Sequence, residues 1–137
     1  IGHKLRVHGL SAAGVALHIR DNTLYSKQWQ TKIDYPTQSP MIIAKTAYRL
    51  FEQKYPWQNH IRSVTVQAIN LVPQDTPRQI GLFMDCKKMD KIEKLDRCVE
   101  AIRQRFGKDS IRNGVLCQNL KMPPEKAEIT MPTGMVG

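Results

Sequence analysis

Val15, Leu17 and Ile19 alternate with Ala16, His18 and Arg20, the period-two pattern of a strand with one buried face. Asp21-Asn22 supplies a turn, and a second alternation runs from Lys27 to Tyr35. It sets Trp29, Thr31, Ile33 and Tyr35 on one side and Gln28, Gln30, Lys32 and Asp34 on the other. Two strands this close form an antiparallel hairpin. A third strand spans Ile61 to Val72, with Val64, Val66 and Ala68 facing one way and Ser63, Thr65 and Gln67 the other. Between the hairpin and this strand the period changes to that of a helix: Ile43, Ala47, Leu50, Phe51 and Lys54 share one face. Ser39 is expected at its N-cap, Pro40 at its first position, and Tyr55-Pro56 at its stop. Ahead of the first strand, HKLRVHGL reads as the last turns of a helix, with basic residues near its negative end and Gly9 at C′. The order helix end, strand, strand, helix, strand predicts an α+β fold. One antiparallel sheet carries helices on one face and leaves the other free.

Beyond Val72 the pattern loosens. Pro73 to Pro77 sustains neither period and marks a linker. Asp90 to Phe106 is again helical, with the stripe Ile92, Leu95, Val99, Ile102 and Phe106. A capping box is expected at Asp90 and Glu93, and a stop at Gly107. Residues 122–137 are rich in Pro, Gly and small side chains and are expected to be disordered. The predicted division is a domain over 1–73, a linker over 74–89, a helical tail over 90–121 and a disordered end over 122–137.

Charge changes this picture more than composition does. Hydrophobic residues at 41% and charged residues at 24% are ordinary for a folded chain of 137 residues. Yet 21 Lys and Arg against 12 Asp and Glu leave a formal net charge of +9, which favours polyanionic partners through counterion release. Cys86, Cys98 and Cys117 are odd in number and widely spaced, so neither a disulfide framework nor a zinc site is supported. Reduced thiols fit a cytoplasmic protein, and no apolar run is long enough for a membrane span. The chain opens at Ile1 on what reads as the end of a helix, and is expected to be part of a longer protein.

No catalytic constellation emerges. The acidic residues of the first 73 positions are Asp21, Asp34 and Glu52, assigned to a turn, a strand end and a helix surface. Two-metal chemistry needs clustered carboxylates. The four histidines form no metal-spaced pair, and there is no phosphate-cradling glycine motif. The free sheet face is more informative: Ala16, His18, Arg20, Gln28, Gln30, Lys32, Ser63, Thr65 and Gln67 are small, polar or cationic. Such a set can hold phosphates without reading base sequence. An ordinary solvated face has the same pattern, and the residues alone do not choose. A basic protein-interaction domain recruiting a partner strand at its sheet edge is the alternative. Single-strand recognition would want aromatic rings on the free face, whereas Trp29 and Tyr35 share the core face with Ile33.

The stretch from KLRVHGLSAAGVALHIRDN through WQTKIDYPTQSPMIIAKTAYRLFEQKYPWQNHIRSVTVQAINLV resembles the little finger domain of Y-family, UmuC/DinB-type translesion DNA polymerases. The likeness covers residues 3–73. It rests on the G-V-x-L-x-I-R-D strand, the strand ending in Tyr35-Pro36-Thr37 and the I-R-x-V-T-V-x-A-I-x-L strand. Residues 87–117 are similar to the family's tail, a short helix before R-F-G-x-D-x-I. Gln79-Ile80-Gly81-Leu82-Phe83 is similar to the peptide by which bacterial polymerases dock on the sliding clamp.

The resemblance implies a four-stranded sheet whose free face grips backbone phosphates of primer–template duplex. Its first strand would precede Ile1, leaving at most three strands and an exposed edge. It implies a parent that is an error-prone DNA-directed DNA polymerase using magnesium held upstream, with no catalytic residue and no cofactor in this chain. His18, Arg20, Gln30, Lys32, Arg62, Ser63, Thr65 and Gln67 are the expected duplex contacts. Gln79, Ile80, Leu82 and Phe83 are the expected clamp contacts, with Leu82 and Phe83 as apolar anchors.

Overall fold

The computed structural model describes residues 1–76 and 86–114. Helix α1 (Gly2–Val7) leads into strand β1 (Leu10–Asp21), which turns into strand β2 (Ser26–Thr37). Helix α2 (Pro40–Lys54) crosses back to strand β3 (Ile61–Pro73), and helix α3 (Cys86–Phe106) closes the described order. The strands form one antiparallel sheet in the order β2-β1-β3, so β1 is central and both of its neighbours are edges. This is the α+β arrangement expected from the periods, with three strands among the described residues.

Alternation fixes the register. Leu17 stands between Trp29 and Val66, and Val15 between Thr31 and Ala68, so the apolar sets of three strands meet on one face. Leu5, Ala12, Val15, Ile33, Ile43 and Ala47 form one buried cluster between this face and the helices. Leu17, Ile19 and Leu50 form a second, flanked by half-buried Trp29, Phe51, Tyr55 and Ile61. Each such Leu or Ile contributes about 1.5–3 kcal/mol by leaving water. The assignment of Trp29 to the core side therefore holds.

Strand β1 starts at Leu10, well before its alternation becomes legible. Between Ala12 and Gly14 the register against β2 jumps, with Ala12 opposite Thr37 and Gly14 opposite Lys32. Five steps along β2 stand against two along β1 there, so the irregularity lies in β2, while β1 stays in register with β3 from Leu10 to Arg20. Gly14 is required by close approach: a Cβ there would stand 3.0 Å from Ile69 Cγ1 and 3.1 Å from the Thr31 carbonyl oxygen. Gly9, at φ +62, takes the left-handed position after α1 that the sequence reserves for it.

One local expectation is met only in position, and two are corrected. Ser39 occupies the N-cap of α2, but its hydroxyl makes no capping bond; the Ser39 N–H instead donates to Thr37 Oγ1 at 3.1 Å. Helix α3 begins at Cys86, so Asp90 lies inside it and caps nothing. Lys87, Lys88 and Met89 are good helix formers and extend it by a turn. Val64, assigned to the core face, is 54% exposed because β3 lies at the edge and α2 leans toward β1 and β2.

Candidate nucleic-acid interface

The register builds the free face row by row. Arg20 stands between Ser26 and Ser63, His18 between Gln28 and Thr65, Ala16 between Gln30 and Gln67, and Gly14 between Lys32 and Ile69. Side chains in one row sit about 4.8 Å apart and rows repeat about every 6.8 Å. Arg20, Gln28, Gln30, Lys32, Ser63, Thr65 and Gln67 are exposed, and His18 is half-buried between its neighbours. Ala16 is 1% exposed although it points to this side, since it is short and flanked by two glutamines. The central column thus runs from Gly14 and Ala16, which project little, to His18 and Arg20, which project far. The result is a shallow trough between polar edges. No carboxylate stands in these four rows, and exposed Asp34 lies beyond Lys32 at one edge of the face.

Seven of the eight expected duplex contacts are brought together: His18, Arg20, Gln30, Lys32, Ser63, Thr65 and Gln67. Arg62 is not. Ser63 pairs with Arg20 and Ile61 with Asp21, so Arg62 falls in the irregularity between them, out of step with Ser63. Ser26, paired with Arg20, belongs to the face and was missed, because the second alternation shows only from Lys27 onward. Ile69, opposite Gly14, is its one half-buried aliphatic side chain. Arg20 is steadied by a 3.4 Å bond from its Nε to the Leu24 carbonyl oxygen.

The turn behind Arg20 is organised by one buried carboxylate. Asp21 Oδ1 accepts from the Thr23 hydroxyl at 2.6 Å, the Thr23 N–H at 2.9 Å and the Tyr25 N–H at 3.0 Å. Its Oδ2 accepts from Asn59 Nδ2 at 3.0 Å. The Thr23 hydroxyl, with Asn59 and the two backbone donors, outweighs burial and holds this carboxyl below its ordinary value of 3.8. Glu52 is bonded to the Tyr48 hydroxyl, whose pKa it raises. Asp34 is exposed on β2. Three carboxylates so placed do not fit a metal pair. Among the described residues no group of three His, Cys, Asp or Glu side chains could hold an ion. No helix among the described residues is long and apolar enough to cross a membrane.

At the far end, α3 meets α1 through charge. Glu100 bonds His3 Nδ1 at 2.6 Å through Oε1 and pairs with the Arg6 guanidinium through Oε2. Burial pushes the Glu100 carboxyl up, but His3 and Arg6 outweigh it and hold it below its ordinary value. The expected clamp residues Gln79, Ile80, Leu82 and Phe83 lie outside the described residues.

Residues 1–82 match the family model for the impB/mucB/samB family C-terminal domain, over half of the chain. The chain belongs to this family. It carries the C-terminal domain of a UmuC/DinB-type, Y-family polymerase, in agreement with the strands that carried the resemblance. DNA polymerase IV of Acetivibrio thermocellus is 38% identical over 119 residues, which cover 87% of this chain and 30% of that protein. The chain therefore spans less than a third of this relative's length. No solved structure gives a match.

Proposed function

We propose that this C-terminal domain grips primer–template duplex by its phosphates, without reading base sequence, for an error-prone translesion DNA polymerase. The observation that carries the reading is the free sheet face, where cationic, amide and hydroxyl side chains share four rows with no carboxylate. Arg20 and Lys32 supply charge at opposite ends of the trough, while Ser63, Thr65, Gln30 and Gln67 offer neutral donors between them. The parent would be a DNA-directed nucleotidyltransferase of the cytoplasm, with magnesium bound outside the described residues. Gln79, Ile80, Leu82 and Phe83 would tether it to a bacterial sliding clamp, Leu82 and Phe83 filling an apolar pocket.

The test is binding of the chain to a fluorescent primer–template duplex across a salt series, with and without clamp. Sequence-blind binding that weakens steeply with salt is expected. Arg20→Ala and Lys32→Ala should each lower the slope of log K against log salt by about one. Clamp binding should vanish in Leu82→Ala/Phe83→Ala. Binding indifferent to salt would instead favour recruitment of a partner strand along the β3 edge, where Val64 is exposed.

A further inference from the structure

Four aromatic rings gather where α2 runs into β3. Phe51 stacks on Tyr55 with ring centres 5.3 Å apart and meets Trp57 edge-on at 5.0 Å. Tyr55 meets Trp57 edge-on at 5.6 Å, and Tyr48 stands 6.4 Å from Phe51. Core packing accounts for Phe51 and Tyr55, which close over Leu17, Ile19 and Leu50. It does not account for Trp57, which is 68% exposed, or for Tyr25 in the β1–β2 turn, which is 61% exposed.

The loops that carry both rings are held in place rather than hanging free. Trp57 has φ +53 and Leu24, beside Tyr25, has φ +69, a backbone region that bulky L-residues occupy only where the surroundings impose it. The two loops are tied to one another. Asn59 donates to Asp21 Oδ2, the Asn22 N–H donates to the His60 carbonyl at 2.9 Å, and the Tyr55 hydroxyl donates to the Asn59 carbonyl at 2.6 Å. Between the loops lies an open cleft lined by Ile19, Tyr25, Lys27, Trp29 and Tyr55. Lys27 Nζ stands 5.7 Å from the centre of the Tyr25 ring. Asp21 is the one carboxylate lining the cleft, and both of its oxygens are already bonded.

A ligand arriving here meets the Tyr25 ring and the Lys27 ammonium in the cleft, with the exposed Trp57 ring outside its lining. It finds no deep apolar slot of the kind an aliphatic anchor needs. Flat, anionic and sequence-tolerant ligands fit that description. We propose that the aromatic end of the domain is a binding platform for single-stranded DNA, with bases stacking on Tyr25 and Trp57 and a phosphate meeting Lys27. Lys27 pairs with Ile19 on the core side of the sheet, so this site shares no residue with the duplex trough and stands independently of that reading.

The chain has two tryptophans, Trp29 and Trp57, and only Trp57 is largely in water. Titrating oligo(dT) into the 137-residue chain should quench its tryptophan fluorescence. Affinity should fall with salt, by a log–log slope of about −0.7 per phosphate engaged. Trp57→Asn, which tolerates the left-handed backbone, should abolish the quench. It should also weaken labelled oligo(dT) binding about 5- to 150-fold, the range for one lost stacking partner. Tyr25→Ser and Lys27→Gln should weaken it too, while duplex binding stays sensitive to Lys32→Ala. The proposal is overturned if oligo(dT) binds the Trp57 and Tyr25 variants as well as the parent. It is also overturned if blunt duplex quenches Trp57 equally, or if an acidic peptide quenches it where oligo(dT) does not.

Discussion

Asp21 closes one end of the domain by itself. Its carboxylate accepts four hydrogen bonds, which join the β1–β2 turn to the loop before β3 and set Arg20 at the edge of the trough. Because those donors hold its folded pKa below the unfolded one, protonation favours the unfolded chain. The stabilisation is fully present above the ordinary value of 3.8 and is lost as pH falls through the lower folded value. Thermal melts from pH 6 downward should show a steep acid limb, and Asp21→Asn should flatten it while lowering the melting temperature near neutrality. An acid limb of unchanged steepness in the variant would mean that other carboxylates carry it. The sequence showed Asp21 only as a turn residue. Its partner Asn59 is 38 positions away, a distance no local pattern encodes.

Helix α2 binds the sheet into a domain. Ile43, Ala47 and Leu50 are its buried residues, and their spacing is the helical period read from the sequence. Leu50→Ala should cost about 2–5 kcal/mol, read as a lower denaturant midpoint, since it opens a cavity against Leu17 and Ile19. Helix α3 meets α1 through charge, with Glu100 paired to His3 and Arg6. Glu100→Gln should therefore loosen α3 without unfolding the sheet. Hydrogen exchange should rise across Cys86–Phe106 and stay unchanged in β1, and high salt should mimic the substitution. Faster exchange in β1 as well would show that α3 supports the domain. The amphipathic stripe of α3 was legible from its spacing, and Ile92, Val99 and Ile102 are half-buried, yet Leu95 and Phe106 remain 61% and 68% exposed. Periodicity shows that a helix has an apolar side, not that something covers it.

At the scale of the molecule, charge and topology divide the work. The excess of cations is spread over the chain, and the sheet sorts part of it onto one face whose paired rows hold no carboxylate. Duplexes of different base sequence should bind with the same affinity within about a factor of two, because phosphate contacts carry no sequence information. A strong preference would place base-reading contacts on the trough and revise the role of His18 and Gln30.

The sequence alone determined the three strands, the helix that crosses them and the polarity of each sheet face, because period-two and helical patterns are local and burial enforces them. It also carried the family, through motifs that lie within single strands. Tertiary structure decided what depends on distant partners. A register jump in β2 between Lys32 and Thr37 interrupts its pairing with β1, and the pairing irregularity at Ile61–Ser63 puts Arg62 out of step with Ser63. The position of β3 at the edge leaves Val64 in water. The meeting of two loops 30 and more residues apart sets Tyr25 and Trp57 at one end, tied through Asp21 and Asn59. Register and loop closure are fixed by pairing across the chain, and neither is written in any one segment.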